Sequence, residues 1–199
     1  MGEAKRRKAE IAGQKILHDI WRASLSSDEQ TISKVAERLD ERLIRGMNFI
    51  GGCYHLAFFM TRYFASQGIL VKPVVGWVND GQWDGMTSHA WIEYEGKRTD
   101  ISLNRSEYPE FQPPGATIVL DHFIRPGVVE YSYFIHGDSI VEMALAKMRT
   151  SGNYDDVLPY KEAEHQRMLQ IAVSDNEMDA YLRIAPRNTN FEALSALIA

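Results

Sequence analysis

Position 53 holds the one cysteine in a chain of 199 residues, and its neighbours suit a nucleophile. It follows Gly51-Gly52 and opens an apolar run, Tyr54 to Gln67, that Gly68 ends. A helix N-terminus carries unpaired backbone N–H groups and the positive end of the macrodipole. Both favour thiolate, the reactive form of cysteine. Downstream stand His89 and Asp100, in a segment with the alternation of a hairpin. A thiol, an imidazole and a carboxylate are the parts of a nucleophile, its general base and the group that orients the base.

The hairpin can be tested for register. With Glu95-Gly96 as a two-residue loop, paired residue numbers sum to 191. His89 then faces Ser102, and Trp91 faces Asp100. Residues two apart on a strand share a face, so His89, Trp91 and Asp100 point the same way. His89 and Asp100 become diagonal neighbours about 7 Å apart along the backbone, within side-chain reach. A loop of odd length would turn Asp100 to the opposite face.

Other elements must hold these parts. Residues 4–23 have a helical apolar stripe through Ile11, Ile16, Leu17, Ile20 and Trp21. Ser27 to Gln30 has the form of a capping box opening a second helix, with Ile32, Val35, Ala36, Leu39, Leu43 and Ile44 on its apolar face and Gly46 at its end. The Cys53 helix is apolar nearly all round, the mark of a central, buried helix. Ile69 to Val78 reads as a strand, followed by turn chemistry at Asn79-Asp80-Gly81. After the hairpin, 104–115 is a loop with three prolines that could border a cleft, and 116–123 and 128–135 read as strands. Helices are predicted at 138–149, 160–173, 175–184 and 190–198. The order implies an α+β fold: N-terminal helices over 1–46, a core over 47–136 and a helical region over 137–199, in one compact domain.

Gly-Gly-Cys at 51–53, Ser-His-Ala-Trp-Ile-Glu-Tyr at 88–94 and Thr-Asp-Ile at 99–101 resemble the transglutaminase-like branch of the papain-like cysteine protease superfamily. The His-Ala-Trp strand is the specific part, and the resemblance covers about residues 45 to 103. It implies a central Cys-bearing helix packed on an antiparallel sheet. It also implies a Cys53-His89-Asp100 triad and acyl chemistry through a thioester, of peptidase, glutamine deamidase or transglutaminase type. The substrate would be a protein or peptide, with no cofactor. The chain departs from the wider family where no Cys-x-x-Cys pair is present and where a compact Glu95-Gly96 turn replaces an aromatic-rich stretch. For an oxyanion donor the nearest side-chain amide upstream is Asn48, although the Cys53 backbone N–H needs no side chain. Tyr54, Trp83 and Trp91 are further candidates for substrate contact, as is Trp77.

Composition limits the alternatives. An apolar fraction of 45% supports a real core, and a net charge of −5 argues against a nucleic-acid module. A lone cysteine excludes an internal disulfide, which fits the cytoplasm. No run of about 18 apolar residues suggests a membrane span, and no apolar stretch after the basic Lys5–Lys8 cluster suggests a secretory signal. A metal site built on Cys53 and His55 with His89, His122 or Asp100 is disfavoured, because residues two apart on a helix diverge. His136, before Gly137-Asp138, reads as structural. The alternative of a different class is a non-enzymatic protein-interaction module on the same fold.

Overall fold

The computed structural model describes residues 13, 15–106, 108–110 and 112–199. Of the helix predicted over 4–23, residues 15–24 are helical and form α1; the part before 13, with the basic cluster, lies outside the described residues. The elements that follow are α2 (Ser27–Leu39), a π-helical segment (Asp40–Arg45) and α3 (Cys53–Ala65). The strands are β1 (Lys72–Asn79), β2 (Thr87–Tyr94), β3 (Lys97–Thr99), β4 (Thr117–Val119), β5 (His122–Arg125) and β6 (Ser132–Ile135). Four helices close the chain: α4 (Ser139–Thr150), α5 (Leu158–Ala172), α6 (Asp175–Arg183) and α7 (Phe191–Ile198). The fold is α+β.

The helix starts have local causes. The capping box of α2 falls one residue earlier than the sequence suggests. Ser26 caps the helix, its hydroxyl accepting from the Glu29 N–H, while the Glu29 carboxylate accepts from the Ser26 N–H at 2.8 Å. A carboxylate suits a helix N-terminus better than the amide of Gln30, and Glu29 also receives Lys97 from β3. Gly46 does not end an ordinary helix in the left-handed region. The chain first widens into the π-helical segment, which Gly46 ends at φ −72°. Asp40, at the start of that segment, is held by Arg125 of β5 at 2.7 Å.

Helix α3 is the centre of the core. Tyr54 to Met60 and Thr61 are all buried, as its apolar surface demands. It packs on β1, β2, α6 and α7, with Val75, Ala90 and Ile92 against its side chains. A second apolar cluster gathers Trp77 and Met86 with Val141, Leu145, Met148 and Leu158 from α4 and α5.

The main sheet is antiparallel in the order β3-β2-β1-β6. Glu95 and Gly96 both take positive φ, 49° and 78°, and make the predicted two-residue turn. Pairing runs Ile92↔Thr99, Glu93↔Arg98 and Tyr94↔Lys97, so the expected register holds up to Thr99. There it stops. Asp100 does not pair with Trp91 but bridges to Ile118, which joins the β4–β5 hairpin to the sheet beyond β3. The segment 116–123, read as one strand, is therefore a hairpin. Leu120 and Asp121 turn at φ 51° and 60°, and their backbone N–H groups donate to the Thr99 hydroxyl and the Arg98 carbonyl. Leu-Asp is poor turn sequence, and tertiary bonds impose the turn.

The sheet is curled. Flat, β3 and β6 would stand about 14 Å apart, three strand spacings of roughly 4.8 Å. Yet the Tyr133 hydroxyl on β6 lies 2.8 Å from the Asp100 carboxylate just past β3. The Arg98 guanidinium of β3 also sits 3.6 Å from the centre of the Tyr133 ring. Gly76 of β1 permits the curl. A Cβ there would stand 2.4 Å from the Phe134 carbonyl oxygen and 2.6 Å from the Trp91 ring. Gly76→Ala is expected to cost about 1–3 kcal/mol through overpacking, with a shift in tryptophan fluorescence as Trp91 is displaced. Denaturant unfolding measures the loss, and an unchanged midpoint and spectrum would mean that β6 and Trp91 move aside freely.

Candidate active site

Two glycines set the entry to α3. Gly51 takes φ 69°, and Gly52 lies so close to the Phe49 ring that a Cβ would be 2.1 Å from it. The turn delivers Cys53 as the first residue of α3 with a free, half-buried thiol. Cys53 and His89 both line a cleft of about 500 Å³. One wall holds Gly51 to Tyr54, Ser88 and His89, and a second holds Ser102, Leu103, Arg105, Ser106, Tyr108 and Gln112. The segment 104–115 therefore borders the cleft. The rest of the lining comes from the C-terminal helices, the α4–α5 connection and the loop before β2, through Trp83, Met86, Met148, Tyr154, Leu158, Lys161, Glu164 and Tyr181.

His89 and Asp100 are almost fully buried, at 3% and 2% exposure. The imidazole donates from Nε2 to Asp100 Oδ2 at 2.7 Å. That bond leaves Nδ1 as the nitrogen not committed to Asp100, and Cys53, which lines the same cleft, is near enough to help hold the imidazole's proton. Asp100 is saturated with donors. Tyr133 donates to Oδ2 at 2.8 Å, and the Ser102 N–H and hydroxyl donate to Oδ1 at 3.0 and 2.9 Å.

The electrostatics follow from burial and pairing. Burial by itself disfavours the imidazolium; the Asp100 carboxylate, and after it the Cys53 sulfur, outweigh it and push His89 up to about 10. Burial likewise disfavours the Asp100 carboxylate, but His89, Ser102 and Tyr133 hold it below the ordinary range. Tyr133 is raised by burial and by the carboxylate it faces, so it remains a donor.

The other predicted residues divide. Tyr54 and Trp83 lie in the cleft wall. Trp91 does not. It is 3% exposed, it meets the Tyr133 ring edge to face at 5.1 Å, and its indole N–H donates to Glu93. The curl brings Tyr133 against its ring, and Trp91, although on the same strand face as His89, does not line the cleft. Asn48 also falls outside the cleft lining. It sits at φ 53° on an exposed turn, and its Oδ1 accepts from Arg105 at 2.6 Å. It positions a cleft cation rather than facing an oxyanion. Trp77 reaches the cleft but is 2% exposed and packs in the second cluster. His55 diverges from Cys53 and donates to the Thr189 carbonyl at 2.6 Å. Burial lowers its pKa. His136 lies beside His165, 5.4 Å between ring centres.

Ser88, Ser102, Arg105, Tyr133, His165 and Tyr181 were not signalled by the sequence. Tyr133 shares a face with Tyr131 in the alternation of the last strand, but nothing local says that this strand curls back towards Asp100. No family model, curated protein or solved structure matches the chain.

The pair makes stability depend on pH with a definite sign. His89 binds its proton more tightly folded than unfolded, so its contribution is full below about pH 6.5 and is lost as pH rises through about 10. Asp100 is shifted down, so its contribution is present above about pH 4 and is lost as pH falls through its folded value. The melting-temperature gap between the native protein and Asp100→Asn is expected to be widest between about pH 4 and 6.5 and to narrow steadily towards pH 10. A gap that stays constant over this range would remove the charge pairing.

Proposed function

We propose that the chain is a cysteine-dependent enzyme of amide or acyl chemistry, with a papain-like core of the transglutaminase-like type. The observation that carries this reading is the buried His89–Asp100 pair facing the same cleft as the thiol of Cys53. A helix bearing the cysteine on an antiparallel sheet that carries the histidine supports the core assignment.

Cys53 is the nucleophile, His89 the general base and acid, and Asp100 the orienter. An imidazolium beside a sulfur favours its ionised form. The thiolate attacks the carbonyl carbon, a C–S bond forms and the carbonyl electron pair moves onto oxygen. As the tetrahedral intermediate collapses, His89 gives its proton to the leaving amine and a thioester remains. Water or an amine, deprotonated by His89, then releases the acyl group. Asp100 keeps Nε2 protonated throughout, so that Nδ1 alone exchanges the proton.

The cleft suits a peptide. Trp83, Tyr108, Tyr154 and Tyr181 offer apolar faces, while Arg105 and Lys161 offer cations. Hydrolysis, as in a peptidase or deamidase, needs only water and is the simpler of the two fates. A lone thiol nucleophile works best in a reducing compartment, which fits the cytoplasm.

Cys53→Ala should abolish thioester formation and leave the fold intact. Iodoacetamide should label Cys53 at pH 7 faster than a free thiol of pKa about 8.5. His89→Ala is expected to slow that labelling by tenfold or more. Labelling at the free-thiol rate in the native protein, unaffected by His89→Ala, would overturn the reading. In cell extract, the partner trapped as a thioester on Cys53 identifies the substrate.

A further inference from the structure

That mechanism leaves a second polar chain in the cleft wall unused. The Tyr54 hydroxyl lies 2.6 Å from Ser88 Oγ, and Ser88 Oγ lies 2.5 Å from His165 Nδ1. Tyr54 and Ser88 line the cleft beside Cys53 and His89. His165 is 1% exposed, with its ring stacked on Trp77 at 4.3 Å between centres. Its Nε2 is buried and has no hydrogen-bond partner among the described residues. Nothing in the acyl-transfer scheme explains a buried histidine tied through a serine to the residue next to the nucleophile.

The direction of the chain can be deduced. Ser88 has one hydroxyl proton and two polar neighbours. His165 is neutral at ordinary pH, because burial, and after it His136, push it down to about 4. A neutral imidazole carries one N–H. If that proton were on Nε2, a buried N–H would have no acceptor, and such orphans are rare and costly. With the proton on Nδ1, His165 donates to Ser88, and Nε2 keeps only a bare lone pair. Ser88 then donates to Tyr54 Oη. The Tyr54 proton is left over, and the cleft is where it can point. Burial, and after it the Cys53 sulfur, raise Tyr54 above its ordinary value, so the hydroxyl remains a donor.

We propose that Tyr54 is a catalytic residue that donates its hydroxyl proton as a hydrogen bond to the oxyanion, with Ser88 and His165 as positioning residues that fix its polarity. The assignment rests on the acyl-transfer reading. As the Cys53 thiolate attacks, the carbonyl pair shifts to oxygen, and Tyr54 meets that charge without giving up its proton. When the C=O reforms the leaving group departs and the hydrogen bond relaxes. The Cys53 backbone N–H, unpaired at the first turn of α3, is a second donor of the same kind.

Two reactions of the same sulfur separate this role from a structural one. Acylation by 4-nitrophenyl acetate passes through an oxyanion; alkylation by iodoacetamide does not. Tyr54→Phe is expected to slow acylation by about a hundredfold, the scale of one lost oxyanion donor, and to keep the alkylation rate within twofold. Ser88→Ala, which retains the tyrosine but loses its orientation, should slow acylation by less. ¹⁵N NMR of the histidines should show His165 protonated on Nδ1. Equal acylation by native protein and Tyr54→Phe overturns the assignment, as does a parallel fall in both reactions. A His165 proton on Nε2 overturns the polarity. A native protein that alkylates but is never acylated overturns the acyl-transfer reading and this assignment with it.

Discussion

A buried carboxylate governs this structure. Asp100 is 2% exposed, and an isolated charge at that depth would cost several kcal/mol in lost hydration. The fold answers with four hydrogen bonds from three places: His89 on β2, Ser102 just past β3, and Tyr133 on β6. To bring Tyr133 there the sheet must curl. To curl, it needs Gly76 under the Trp91 ring, and Arg98 closes the other side of Tyr133. The shape of the sheet and the ionisation of Asp100 are thus one constraint. His89 inherits its charge and its orientation from that constraint.

The cleft is a consequence of two cores that do not merge. One is centred on α3 and the other on Trp77 with α4 and α5. The cleft wall draws on both: Tyr54 belongs to the first and Cys53 packs against it, while Met86, Met148 and Leu158 belong to the second. The C-terminal helices are therefore part of the site rather than an appendage to it. Glu164 and Tyr181, far along the chain, come near enough to Tyr54 to influence its ionisation.

What could be read from the sequence was local. The Gly-Gly-Cys helix start, the Glu95-Gly96 turn and the helices near 139, 158, 175 and 191 all follow from caps, turns and periodicity over a few residues. The register of the β2–β3 hairpin came from one turn and carried the face of His89 with it. What was not legible was nonlocal. The curl depends on contacts between β3 and β6, more than 30 residues apart, so Tyr133 had no signature and Trp91 looked available to substrate. The Leu120-Asp121 turn is imposed by Thr99 and Arg98. His165 has no local signature either, because its ring stacks on Trp77, which lies on β1 far back along the chain.

The cost of the polar cluster bears on why it exists. Replacing a buried ion pair by well-packed apolar residues of similar volume is often neutral or stabilising. A protein that used this surface only to bind a partner would lose little by filling it with leucine and valine. Instead the chain buries His89, Asp100, His165 and Tyr54, and leaves Nε2 of His165 without a partner among the described residues. It also places its single thiol at the mouth of a helix, beside an imidazole that holds its proton to about pH 10. Such departures from the most stable packing collect where chemistry needs them. The same argument bears on the two polar chains, rather than one, that reach the cleft holding Cys53. In the proposed reaction the first would move a proton through Nδ1 of His89. The second would hold a proton still on Tyr54, where the oxyanion forms.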